Sequence, residues 1–177
     1  RGPVDQIGDP ATGEWNDIAA GERAAQGEGT AIGAAALADV AAADVIDNGS
    51  DVTLGAAGTL TLGGDNTISS LSGAAGSAIV LGAHTLTVTQ TADQTFAGVI
   101  SGTGGLSKTG LRTLTLSGAN NYTGATMILF GTLKLMSDTA AGTVDGGVTV
   151  SSTASLEIAG DIAIGAEQLT LDGDGSG

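Results

Sequence analysis

One pattern recurs along this chain and leaves few folds open to it: a four-residue alternation of small polar and branched apolar residues, set among glycines. It reads T-L-T-L at Thr59–Leu62, T-L-T-V at Thr85–Val88, T-L-T-L at Thr113–Leu116, T-L-K-L at Thr132–Leu135 and S-L-E-I at Ser155–Ile158. The first Leu of each unit returns after 26, 28, 19 and 23 residues. A period of two puts Leu, Val or Ile on one face and Thr, Lys or Glu on the other, as a half-buried strand requires and a helix does not. The match extends past the strands, because Leu71–Val88 aligns with Ile100–Leu116 with one residue of slippage.

Between the strands lie clusters such as Gly63-Gly64-Asp65-Asn66, Gly73-Ala74-Ala75-Gly76 and Gly118-Ala119-Asn120-Asn121. Such clusters supply the positive φ angles and side-chain hydrogen bonds of sharp corners. Short strands joined by tight corners predict an all-β solenoid: a right-handed, single-stranded parallel β-helix of about five or six rungs over residues 50–172. Rungs stacked about 4.8 Å apart pair each backbone N–H and C=O with the coil above or below. Composition fits so thin a core, since 31 of 177 residues are Gly while Phe, Tyr and Trp together number four (two, one and one). Leu, Ile, Val and Ala must fill it.

The repeat is missing from residues 1–48, which hold about half of the acidic residues, so the chain divides into a lead-in (1–48) and a repeat region (49–177). Arg1–Gly29 reads as polar and irregular. Thr30–Asp47, rich in Ala, is either a helix ending before Asn48-Gly49 or a degenerate first rung. We expect the helix, as an Ala-rich N-terminal cap, because an open β-helix end exposes unpaired backbone. The start at Arg1, without an n-region or h-region, is that of a piece excised from a longer protein.

Five basic against nineteen acidic residues give a net charge of −14. That charge repels nucleic-acid phosphates and anionic membrane surfaces, so nucleic acid is excluded as a partner. No apolar run is long enough to span a membrane, and direct insertion of this segment is not expected. The absence of cysteine excludes disulfides, thiolate metal ligands and thiol catalysis together. It suits a chain that crosses a membrane unfolded.

Phe96–Leu135 resembles the passenger-associated strand repeat of bacterial autotransporters. The family's marks stand here as GVISGTGGLSKTG, then TLTLSGANNYTGAT, then ILFGTLKL, including Lys108, Asn120 and Tyr122. The strong resemblance covers about a quarter of the chain, with weaker echoes over residues 50–95 and 140–172. It implies a β-helical passenger, secreted or displayed on the surface of a Gram-negative bacterium, and exported with the help of a signal peptide and a C-terminal β-barrel. It implies an address more than a reaction, because such stalks carry adhesins, proteases and esterases alike. The sequence departs from the family at Leu111 and Arg112, where small residues are usual, and at Leu129 and Phe130. Arg112 takes the slot before its strand that His84 takes one repeat earlier.

The residues that carry chemistry are few. His84 is the lone histidine and reads as a solvent-facing corner residue, not a triad member or metal ligand. No G-x-S-x-G elbow is present. Asp172-Gly-Asp-Gly has the flavour of a calcium β-roll, but one copy cannot stack carboxylates around an ion. Asp138, Asp145, Glu157 and Asp161 read as solvated turn or outer-face residues, and Lys108, Lys134, Arg23 and Arg112 are too few to grip an acidic polysaccharide. Lys134 and Glu157 occupy corresponding outward positions and can pair across rungs. Asn66 and Asn120 are expected to stack as a ladder, and Tyr122 to pack. We therefore expect no catalytic residue, no metal site and no cofactor.

The expected function is that of a stalk and an adhesion or assembly module. Two alternatives stand beside it: the stalk of a surface hydrolase whose catalytic part lies elsewhere, and a self-assembling fibre. The partner is a host or neighbouring-cell surface, or another copy. Period-two alternation turns Met127, Leu129 and Met136 outward, and with Phe130 they are expected to form an apolar contact patch on adjoining strands.

Overall fold

A computed structural model describes residues 49–172 and Ile46, together with the backbone of four earlier strands. Those are β1 (Gln6–Asp9), β2 (Glu14–Asp17), β3 (Thr30–Ile32) and β4 (Leu37–Val40). They are followed by β5 (Asp51–Leu54), β6 (Thr59–Leu62), β7 (Asn66–Ile68), β8 (Ser70–Gly73), β9 (Ala78–Val80) and β10 (Leu86–Val88). Next come β11 (Gln94–Phe96), β12 (Val99–Ser101), β13 (Leu106–Lys108), β14 (Thr113–Leu116) and β15 (Thr126–Ile128). The last are β16 (Gly131–Leu135), β17 (Val148–Ser151), β18 (Ala154–Ile158) and β19 (Leu169–Asp172). No helix occurs among the described residues.

The strands wind into a parallel β-solenoid of about six turns with three faces. Face I stacks β18-β16-β14-β11-β8-β5-β3 in parallel. Face II stacks β12-β9-β6-β4, and face III stacks β19-β17-β15-β13-β10-β7. Each turn visits I, II and III in that order, so residues in register stand about one turn apart: Leu86 over Leu106, Leu106 over Thr126, Leu114 over Leu133 and Leu133 over Leu156.

The alternation decides which side chains enter the lumen. Leu60, Ile79, Leu86, Ile100, Leu114, Ile128 and Leu133 are completely buried, and the Thr or Ser residues between them lie outside or at the rim. Each buried Leu or Ile contributes roughly 1.5–3 kcal/mol over its exposed state. Because every turn buries only one or two such residues per face, no turn is stable without its neighbours.

Two sequence expectations need correction. Thr30–Ile32 and Leu37–Val40 are strands, in parallel register with β5 and β6, so the Ala-rich segment supplies a rung where a helix was expected. Ahead of it, β1 pairs antiparallel with both β2 and β3, and this hairpin forms the N-terminal edge of face I. Asn48, where the helix was to end, and most of the 1–29 lead-in lie outside the described residues. Second, the five Thr-Leu units do not share a face. Thr59–Leu62 lies on face II and Leu86–Val88 on face III, while Thr113, Thr132 and Ser155 begin or adjoin stacked strands of face I. The alternation marks a strand with one wet side, and all three faces have one. That is why the spacings of 26 and 28 residues exceed a turn.

Candidate interaction surface

Three polar residues stand in columns that point inward. On face III, Asn66, Leu86, Leu106, Thr126, Val148 and Leu169 form one column, and Ile68, Val88, Lys108, Ile128, Val150 and Leu171 the other. Lys108 therefore enters the core between Val88 and Ile128 and is fully buried. Its ammonium donates to the carbonyls of Thr109 (2.9 Å), Gly110 (2.7 Å) and Phe130 (2.9 Å), one acceptor for each proton. Burial draws its pKa down to about 8, and the Asp93 carboxylate opposes that shift. Lys108 thus ties two successive turns at the corner between faces III and I. Gly131 completes the corner: its φ is +66°, and a Cβ there would meet the Leu111 carbonyl carbon at 2.7 Å.

Face II has strands only as far as β12. Beyond it, Asn120 Oδ1 accepts the Ile100 N–H (2.8 Å) and Asn120 Nδ2 donates to the Ala140 carbonyl (2.6 Å), continuing the ladder with a side chain. Tyr122 is buried beside it. Thr126 gives its hydroxyl proton to the Ala141 carbonyl (3.0 Å), so the phenol must donate to Thr126 (2.6 Å). Burial raises the phenol pKa, the Thr126 bond opposes it, and Glu167 adds to the rise. Gly142 packs on this ring with φ +94°, where a Cβ would lie 2.7 Å from the Tyr122 carbonyl and 2.9 Å from the ring.

Asn66 makes a related bridge on a different face, accepting the Ile46 N–H (3.3 Å) and donating to the Gly64 carbonyl (2.8 Å). Asn66 and Asn120 therefore do not form the expected ladder with one another; each replaces a missing backbone partner. Gln90, also buried, accepts the Leu71 N–H (3.3 Å).

Carboxylates do the same work at the rim. Asp65 accepts the Thr85 N–H (2.8 Å), Asp93 that of Thr113 (2.7 Å) and Asp138 that of Ala163 (2.9 Å), each reaching the following turn. His84 stands at the II–III corner, partly exposed and 4.0 Å from Asp65. Arg112 precedes a face I strand, so the two residues do not share a slot. Lys134 and Glu157 pair across turns at 2.7 Å, both partly exposed. They flank an open polar groove of about 530 Å³ on face I with Asp93, Thr95 and Thr115. Among the described residues no three acidic or His side chains converge as metal ligands do. Asp172 ends β19, and the rest of the Asp-Gly segment lies outside the described residues.

The expected apolar residues are spread more widely than the sequence implied. Met127 (43% exposed) occupies the outer column of face III, in the row of Ser107 and Thr149. Leu129, half-buried, and Phe130 (46%) follow it around the III–I corner. Met136 lies beyond the far end of β16, on the other side of face I, because β15 and β16 belong to different faces that meet only at the III–I corner. The corner instead gains Leu111, 83% exposed, in the preceding turn. The departure at Leu111 had already signalled it. Exposed Arg112 stands next to it.

Residues 57–74 and 106–135 match the model of the passenger-associated-transport-repeat family. The second match contains Lys108, Asn120, Tyr122 and Thr126, the buried polar groups that hold the turns together. Over 126 residues the chain is 42% identical to the adhesin BmaC autotransporter of Brucella suis biovar 1 (strain 1330). That alignment takes in 67% of this chain and 4% of that protein, so the chain spans a small fraction of its relative. No solved structure matches it.

Proposed function

Because this chain is a segment of an autotransporter passenger built on the passenger-associated-transport repeat, we propose that it is a non-catalytic stalk that also carries an adhesive or assembly contact. Such a passenger stands outside the cell, secreted or displayed on a Gram-negative surface. The relative's description as an adhesin supports the reading. So does the use of the polar side chains: Lys108, Asn66, Asn120, Gln90, Asp65, Asp93 and Asp138 are engaged with backbone groups of their own or adjoining turns.

The observation that carries the contact is the III–I corner, where Leu111, Leu129 and Phe130, with Met127 alongside, present apolar surface from two successive turns. Contiguous exposed apolar groups mark contact surfaces. Its partner is a host or neighbouring-cell surface, or a second copy. Replacing Leu111 and Phe130 with Ser, and separately Met127 and Leu129 with Thr, should weaken self-association in sedimentation or attachment to cells, with circular dichroism unchanged. Undiminished association and attachment would refute the corner as the contact.

A further inference from the structure

The outer column of face I runs Thr53, Ser72, Thr95, Thr115, Lys134 and Glu157 through successive turns. Its two ends are satisfied from within: the Thr53 and Ser72 hydroxyls are hydrogen-bonded to each other (2.9 Å), and the Lys134 ammonium donates to Glu157 (2.7 Å). Between them, the hydroxyls of Thr95 and Thr115, and that of Thr113 beside them, have no hydrogen-bond partner among the described residues. Gln94 adds a free amide to the same stretch. It stands in register with Leu114, an inward position, yet it is exposed and lines the groove, while Gln90 is the buried glutamine.

The short Thr113 and Thr115 thus lie between the longer Asp93 and Gln94 of the preceding turn and Lys134 and Glu157 of the following two, and the groove they line measures about 530 Å³. That is within the range of small-ligand sites, roughly 300–1,000 Å³. On a chain with a net charge of −14, this stretch is electrically balanced. The Asp93 carboxylate favours the protonated form of Lys108 at the same corner, and Glu157 is paired with Lys134. Asp51, Asp145 and Asp161 have no such cation among the described residues. An anion in the groove would meet two carboxylates and no free positive charge, and a cation would have to displace one already in place. The carboxylates only accept hydrogen bonds, the ammonium only donates, and the hydroxyls and the amide do both. A neutral ligand dense in hydroxyls satisfies all of them.

We propose that the middle of face I is a binding site for a neutral saccharide, whose hydroxyls join the free Thr95, Thr113 and Thr115 to the Gln94 amide on one side and the Lys134–Glu157 pair on the other. The groove has no aromatic ring to stack on a sugar, so binding rests on hydrogen bonds that compete with water, and a dissociation constant of roughly 1–10 mM is expected. Many copies on one cell surface convert such weak sites into firm attachment. The site shares no residue with the apolar III–I corner and stands independently of it.

The test is a titration of the chain with neutral disaccharides (lactose, maltose, cellobiose and mannobiose), followed through its backbone amide NMR signals. Saturable shifts confined to residues 93–95, 113–115, 134 and 157 are expected with at least one of them, and none with a uronic-acid disaccharide. Thr115→Leu, which fills the groove between its longer side chains, and Gln94→Ala, which removes the amide, should each weaken binding about tenfold or more with circular dichroism unchanged. The chain with Leu111 and Phe130 replaced by Ser should bind sugar as the native chain does, which separates failure of this site from failure of the corner contact. Neutral glycans released from host cells and neutral polysaccharide from neighbouring bacteria, used as competitors, distinguish the two surfaces that could supply the ligand. The proposal is overturned if none of the four sugars shifts these signals at about ten times the expected dissociation constant. Equal binding of the uronic-acid disaccharide, or undiminished binding in both groove variants, would overturn it as well.

Discussion

Up to Ser101 the second face of the solenoid is a sheet, and beyond it the same face is a series of loops, yet the inward residues stay buried as far as Val148 and Val150. In the first stretch β4, β6, β9 and β12 pair backbone to backbone, and the outward residues of β6, β9 and β12 are Thr, Ala, Val and Ser. In the second the backbone keeps only isolated bonds such as Asn121 N–H to the Ile100 carbonyl (2.9 Å), and the side chains of Asn120 and Thr126 bond further backbone groups while Tyr122 holds Thr126 in place. A coil can therefore lose one of its three strands if buried side chains meet the orphaned N–H and C=O groups. The stretch that loses it becomes dependent on the identity of a few residues, where the other depends only on a pattern.

Removing those residues should expose the difference. Tyr122→Ala should cost about 3–5 kcal/mol by leaving a large cavity, and Asn120→Ala about 2–4 kcal/mol by leaving the Ile100 N–H and the Ala140 carbonyl unpaired. In both variants, amide exchange should accelerate first in residues 117–168 and last in β6 and β9. Uniform acceleration along the chain would mean that the two stretches unfold as one unit and that the distinction has no energetic content.

The same contrast explains what could be read from the sequence. The strands were legible because Leu114 and Leu116, or Leu133 and Leu135, need only alternate to define an inside. The path of the chain among three faces was not, because Leu60, Leu86 and Leu114 look alike locally and stand on three different faces. The Ala-rich segment misled for a related reason: Ala has a high helix propensity, but at Leu37–Val40 the edge of β6 offered a parallel partner, and pairing overrode propensity. Lys108 and Asn120 were visible as motif letters, but not their targets, because a backbone carbonyl 22 residues away leaves no mark in composition. The apolar corner was half legible. Leu111 and Phe130 stood out as departures, but only the register of the turns brings them together.

Lys108 lies at the junction of the two regimes, an inward side chain in a column that is otherwise apolar at its neighbours Val88 and Ile128. Lys108→Met would relieve the burial of a charge but strip three carbonyls of their donor, and a net loss of about 1–3 kcal/mol is expected at neutral pH. The folded pKa of about 8 lies below the ordinary 10.5. Between those values the unfolded chain binds more proton, so stability should rise with pH from about 8 to 10.5 and gain nothing from this group below 8. Urea titrations should show that rise in the native sequence and lose it in Lys108→Met. A fall in stability over the same window would mean that the three carbonyl bonds outweigh desolvation and hold the ammonium charged.

The smallest effect should come from the outer column of face I, where Lys134 and Glu157 meet at 2.7 Å. Both side chains are partly exposed and neither orphaned backbone nor core depends on them, so the pair belongs with the interchangeable surface and not with the buried bonds of the loop face. Coulomb attraction in a solvated setting is offset by the entropy of holding two long side chains still, and an exposed pair contributes under about 1 kcal/mol. Lys134→Thr should therefore lower stability by no more than that, restoring the Thr of the preceding row at Thr115, and the difference should shrink further in about 1 M salt as screening shortens to about 3 Å. On a chain with a net charge of −14, the removed cation also leaves Glu157 among other carboxylates, so any excess loss should vanish in the double change with Glu157→Gln. A loss comparable to that of Asn120→Ala, insensitive to salt, would show that outer-face pairs hold the turns together as the buried side chains do.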